Sequence, residues 1–305
     1  MATRVCGLIL ILCTAAVLGS AQDASRTVTI DFVALDRNGM PVQDLRPGDV
    51  EVWIGQFRAP VKQMTVVTPE ADERGGRIIV LLLDDMTLRV DWMPMAREAA
   101  RRFVDRMGAN DRMAVLTLSG TNMETTADKA KLLRAIDAYS VRATPVMRSD
   151  TLGRHVLDTL ADISAQVIEA PGRRKTIVGI GSGWLFDRPL PPPQAGQDLL
   201  PEWIRAMRQM ALSHVNFYVI DPSGVGASRP DGGEAGFARE TGGHAFFNTN
   251  DLNATADRIL RESANFYMVE IPDPPVGGKG LRPLELKSLR KDVTLRARHA
   301  IAGSF

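Results

Sequence analysis

The sequence predicts an α/β fold: a doubly wound, mainly parallel sheet with flanking β segments. Three observations predict it. From Arg77 onward, short continuous apolar runs alternate with stretches of helical apolar spacing, the pattern of buried parallel strands linked by right-handed crossovers. Before Arg77, apolar and polar residues alternate one by one between turn signals, as in a small antiparallel sheet. The chain has 305 residues and is 45% hydrophobic, ample for a buried core.

Residues 1–21 read as a secretory signal peptide. Arg4 is followed by the apolar run Val5 to Leu18 and then by Gly19-Ser20-Ala21, small residues ahead of a cut after Ala21. The competing reading, an uncleaved membrane anchor, requires a longer apolar run. Cleavage removes Cys6 and Cys13, so the exported chain has no disulfide, thiolate ligand or cysteine nucleophile. It also removes one cation from 37 Lys plus Arg against 36 Asp plus Glu, leaving balanced charge. Balanced charge gives no electrostatic footprint for nucleic acid. No second apolar run is long enough to span a membrane.

Residues 22–75 read as a small β segment. Val28, Ile30, Phe32 and Ala34 share one face, Asn38-Gly39 makes a tight turn, and Arg46-Pro47-Gly48-Asp49 leads into the strand Val50 to Ile54. Residues 76–270 read as the doubly wound unit. Its strands are Ile78 to Leu83, Met113 to Leu118, Thr176 to Ile180, Val215 to Ile220, His244 to Phe247 and Phe266 to Ile271. Its helices are Met93 to Met107, Ala127 to Tyr139, Thr151 to Ile168, Glu202 to His214 and Leu252 to Ala264, with a stiff proline-rich connector over 188–196. Residues 271–305 read as a C-terminal β extension. The strands Val50 to Ile54 and Val293 to Ala297 are candidate sheet edges, the second flanked by Lys291, Arg296 and Arg298, cations suited to edge protection or to contact. In such a fold the functional groups belong at the carboxyl ends of the strands, here Asp84 to Leu88, Gly181 to Trp184 and Asp221 to Gly224.

The strands RIIVLLLDDMT, DRMAVLTLSG and KTIVGIGSG, the helix AREAARRFVDRM, the segment SDTLGRHVLDTLADI and the late ETGGHAFFNTND together resemble a von Willebrand factor type A domain. The flanks, NGMPVQDLRPGDVEVWIGQFRAPVKQM before it and NFYMVEIPDPP and LELKSLRKDVTLRAR after it, resemble those of the exported VWFA-related group described from Acidobacteria. The resemblance implies adhesion or assembly through a divalent cation at the crest of the sheet, held by oxygen ligands from several loops. The family's Asp-x-Ser-x-Ser falls on Asp84-Asp85-Met86-Thr87-Leu88, where Met86 and Leu88 replace both hydroxyls. Neither side chain serves Mg²⁺. Shifted by one, the motif falls on Asp85-Met86-Thr87-Leu88-Arg89, which recovers one hydroxyl but puts a cation in the ligand row. The family's loop threonine falls on Thr151, and its later aspartate on Ser182. The resemblance therefore implies a degenerate metal-ion-dependent adhesion site, with Asp84, Asp85, Thr87 and Thr151 as the groups left to hold a weak Mg²⁺ or other divalent cation. The competing reading is that Asp84 or Asp85 accepts backbone amide hydrogens from the segment that follows.

A second function competes with interaction. Ser182, Asp221 and His244 stand in the chain order of an α/β-hydrolase triad, but the positions two before and two after the serine are Ile180 and Trp184 where a nucleophile elbow needs glycine. Gly179-Ile180-Gly181-Ser182-Gly183 lacks the remaining residues of a phosphate loop, and its glycines read as close packing. The sequence thus predicts an exported, secreted or periplasmic, non-catalytic module that binds a protein partner. A serine hydrolase is the alternative, and a structural subunit of an assembly a third reading.

Overall fold

The computed structural model describes residues 27–68, 76–120, 123–141, 149–168, 174–182, 184, 199–226, 233–273 and 280–303. Residues 1–21, read as a signal peptide, and the proline-rich connector lie outside them. Among the described residues no helix is long and apolar enough to cross a membrane.

Five strands form an entirely parallel sheet. β5 (Ile78–Leu83), β6 (Arg112–Thr117), β7 (Lys175–Ile180), β8 (Val215–Ile220) and β9 (Ala245–Phe246) lie in the order β6-β5-β7-β8-β9. Every residue of β5 is buried, because the sheet is covered on both faces. Successive side chains point to opposite faces of a strand, so Ile78, Val80 and Leu82 pack with helices α3 (Ser149–Gln166), α4 (Leu200–Leu212) and α5 (Gly233–Glu240). Ile79, Leu81 and Leu83 pack with α1 (Met93–Asp105), α2 (Lys129–Ala138) and α6 (Leu252–Ala264). The fold is the doubly wound α/β class expected, with α5 an addition the sequence patterning did not supply. Strand order reverses at β5, which has β6 on one side and β7 on the other, so a crevice opens at the carboxyl ends of β5 and β7.

Two antiparallel sheets complete the molecule. One has the order β12-β1-β10-β4, from β12 (Thr294–Ala297), β1 (Thr27–Leu35), β10 (Phe266–Pro272) and β4 (Gln63–Val67). The other has the order β13-β11-β2-β3, from β13 (Ala300–Ala302), β11 (Leu281–Ser288), β2 (Val50–Ile54) and β3 (Phe57–Ala59). Ile30, Phe32 and Ala34 of β1, Val52 and Ile54 of β2, Tyr267 and Val269 of β10, and Leu284 of β11 share one apolar cluster. The two sheets are thus faces of one sandwich, to which the N-terminal and C-terminal segments both contribute.

Three details depart from the sequence reading. The strand at 266–271 joins the sandwich, between β1 and β4, and not the parallel sheet. The strand 50–54 is internal, bonded on both sides to β11 and β3. Arg296 and Arg298 do not guard an edge: Arg298 is buried and bonds Asp31 at 2.8 Å, and Arg296 pairs with the buried Glu262. The outer face of β1 is buried as well, which is why Asp31 is enclosed. Asp31 accepts from Arg174 and Arg298 together, and these charges hold its carboxyl well below the ordinary carboxylate range despite its burial.

Candidate functional site at the sheet crest

The loops leaving β5, β7 and β8 converge at the switch point. Asp84 directly follows β5 and is fully buried. Its Oδ1 accepts the amide hydrogens of Met86 at 3.0 Å and Thr87 at 2.8 Å, and its Oδ2 accepts the Thr87 hydroxyl at 2.5 Å. The indole N–H of Trp184 is turned toward the same carboxylate but falls short of a well-formed hydrogen bond. Burial raises the pKa of Asp84, opposed by these hydrogen bonds. The Thr87 hydroxyl also lies 3.1 Å from the Ser182 carbonyl, which ties the β5 loop to the end of β7.

Asp85 turns the other way. It is buried and accepts both the amide (3.0 Å) and the hydroxyl of Ser119, just past β6. Tyr139, after α2, donates its hydroxyl to the Asp84 carbonyl oxygen at 2.5 Å. Burial first, then the charges of Asp84 and Asp85, push the Tyr139 phenol upward, so it acts as a fixed donor. Sequence reading missed Ser119 and Tyr139. They lie 34 and 55 residues from their partners, and no local motif announces such contacts.

Ser182 directs its hydroxyl to Oδ2 of the buried Asp221 at 3.3 Å, and the other Asp221 oxygen accepts the Ser223 amide at 2.8 Å. The structure therefore brings together two of the three triad candidates. His244 is elsewhere. β9 pairs Ala245 with Val219 and Phe246 with Ile220, so His244 sits at the amino end of β9 while Asp221 follows the carboxyl end of β8. The imidazole packs edge-on against Phe246, and among the described residues no histidine bonds Ser182. Among the described residues, then, the Ser182 hydroxyl meets a carboxylate and no imidazole, so they do not assemble a Ser-His-Asp triad.

Of the four metal candidates, Asp84, Asp85 and Thr87 are neighbours in the chain, yet the two carboxylates bond different loops. Thr151 is exposed in the first turn of α3 and bonds none of them. A divalent cation needs carboxylate lone pairs facing an open position, whereas those of Asp84 face the two amides, the threonine hydroxyl and the indole edge. Among the described residues no three acidic or histidine side chains gather as a metal-binding group. The residues present do not fit a resident Mg²⁺. The glycines here serve close approach: a Cβ on Gly181 would stand 2.4 Å from the Asp84 Cβ.

No family model matches the chain, and no curated protein does. Among solved structures, the chain is similar to the manganese-loaded Plasmodium vivax TRAP protein at 12% identity and a TM-score of 0.36, covering 78% of this chain and 96% of that one. It is similar to the SpRpn10 VWA domain at 14% identity and a TM-score of 0.35, covering 59% and 93%. It is also similar to the PilB minor pilin from Streptococcus sanguinis at 13% identity and a TM-score of 0.39, covering 62% of each chain. These are distant likenesses, and the fold class stated above rests on the chain's own sheet order.

Proposed function

We propose that this chain is an exported, non-catalytic protein-interaction module whose von Willebrand factor A-like crest binds a partner without a bridging metal ion. The reading places the chain in the periplasm or outside the cell, on the strength of residues 1–21. One observation carries the interaction surface. The two most exposed large apolar side chains among the described residues, Val90 at 64% and Val225 at 69%, stand on the loops that follow β5 and β8 at the crest. Contact patches combine exposed apolar side chains with a polar rim, and Val90 and Val225 supply apolar groups beside the polar, internally bonded crest. The Val225 loop is held in place by Asn248 and Asn250, whose side-chain oxygens accept the amides of Gly226 and Val225, each at 3.2 Å.

The test is capture of partners from the native envelope fraction, with and without a chelator. The wild-type chain should retain the same partner in both conditions, and the Val90→Asp/Val225→Asp variant should lose it while melting at the wild-type temperature. Loss of the partner on chelation, or its retention by the double variant, would refute the reading.

A further inference from the structure

A cavity of about 640 Å³ opens between the sandwich and the parallel-sheet unit, at the amino end of β9 and away from the crest. Its walls come from the turn after β1, from β11 and β12, and from the region of α5, β9 and α6. Its volume lies within the range of small-molecule sites. Its charge is lopsided. Arg37, Arg239, Arg258, Arg296 and Arg298 line it, with only Asp36 and Glu285 for carboxylates.

Both of those carboxylates are engaged with their own segments. Asp36 accepts the amides of Asn38 and Met40, each at 2.8 Å, which closes the turn after β1. Glu285 pairs with Lys287 at 3.4 Å. Behind the cavity, Glu262 serves both Arg258 and Arg296, and Asp31 serves both Arg174 and Arg298. Two buried carboxylates thus answer four guanidinium groups, three from the cavity wall and one, Arg174, outside it. Arg298 also donates to the Met210 and Ala211 carbonyls, and Nε of Arg296 and of Arg298 has no acceptor among the described residues. Arg239 is exposed at the rim, and among the described residues no carboxylate pairs with it.

His244 lies beside these arginines. Part of its ring is exposed to the cavity, yet the crowding around it, together with Arg296 and Arg258, pushes its pKa down to about 4, against the charge of Glu262. It presents a neutral imidazole, able to donate one hydrogen bond, beside several fixed cations.

From this geometry we propose that the cavity binds a small anionic molecule bearing two or more carboxylate or phosphate groups. Guanidinium forks pair with such oxyanions through two parallel hydrogen bonds, and several forks around one concave space favour a multiply charged ligand over a single charge. The inference uses none of the crest residues and stands apart from the interaction reading.

Calorimetric titration of the whole chain at constant ionic strength tests it, with citrate and pyrophosphate as probes and glucose as the neutral control. At least one polyanion should bind saturably and glucose should not. Citrate alone would identify carboxylate chemistry, pyrophosphate alone phosphate chemistry, and both a general oxyanion site. Arg239→Gln and, separately, Arg37→Gln remove exposed rim charges. Arg239→Gln should weaken binding about tenfold or more at an unchanged melting temperature, and Arg37→Gln should weaken it in the same direction. Arg101→Gln, on the distant outer face of α1 and paired with Asp137, should leave it unchanged. The proposal is overturned if neither probe binds up to about 10 mM, if Arg239→Gln binds as the wild type does, or if Arg101→Gln weakens binding equally.

Discussion

Asp84 shows how much one residue's surroundings decide. The sequence places a carboxylate directly after the first buried strand, and that position was legible. Its orientation was not, because it depends on Thr87, on Trp184 from another loop and on Tyr139 from the end of α2. The reading in which the carboxylate accepts the amides of the following segment describes what Asp84 does with Met86 and Thr87. Burial keeps its proton in the native state to a higher pH than in the unfolded chain. Its contribution to stability is therefore fully present in acid and declines as pH rises through about 4, until the native group has also ionised. Asp84→Asn has no such decline. Thermal melts across the acid-to-neutral range should show the variant gaining on the wild type as pH rises. A constant gap, or one that closes, would contradict the assignment.

Elements differ in how openly their sequences declare them. β5 and β8 were legible to the residue because IIVLLL is apolar throughout and VNFYVI is so but for Asn216, which suits strands covered on both faces. α5 was not, since its sequence GEAGFARE has two glycines and little amphipathic signal, and its helix is held by Phe237 packing on Trp203 and Phe217. β10 was read as a strand, but its partners were not, because pairing with β4 and β1 depends on residues 199 to 245 positions away in the chain. Thr241-Gly242-Gly243 ahead of β9 has a clear packing reason: a Cβ on Gly243 would lie 1.8 Å from the Phe217 carbonyl oxygen. Gly243→Ala should therefore cost about 3 kcal/mol in chemical unfolding. Gly236→Ala, inside α5 with nothing within 4 Å of the added carbon, should be neutral or slightly stabilising in the same assay.

For the whole molecule, the main feature hidden from the sequence is that its two ends build one sandwich, joined to the α/β unit by buried charges. Asp31 of β1 sits at that seam, between Arg174 at the start of β7 and Arg298 after β12. Composition and spacing cannot show such a pairing, because 143 and 267 residues separate Asp31 from the two arginines. Asp31→Asn would leave two buried guanidinium groups without their anion and should cost about 3–5 kcal/mol, read from the denaturant midpoint. A loss below about 1 kcal/mol would mean that water screens the seam and that the pairing is not a buried one.

The chain leaves the sandwich along β4 and returns along β10, and these strands are bonded neighbours, with Val67 opposite Phe266. The departure and return points of nearly 200 intervening residues are therefore clamped side by side. Tension applied near residues 27 and 303 would load the sandwich directly, and along the backbone it would reach the parallel sheet only after β4 and β10 parted. If this protein is tethered and pulled, its crest keeps its shape under load, and the sandwich yields first.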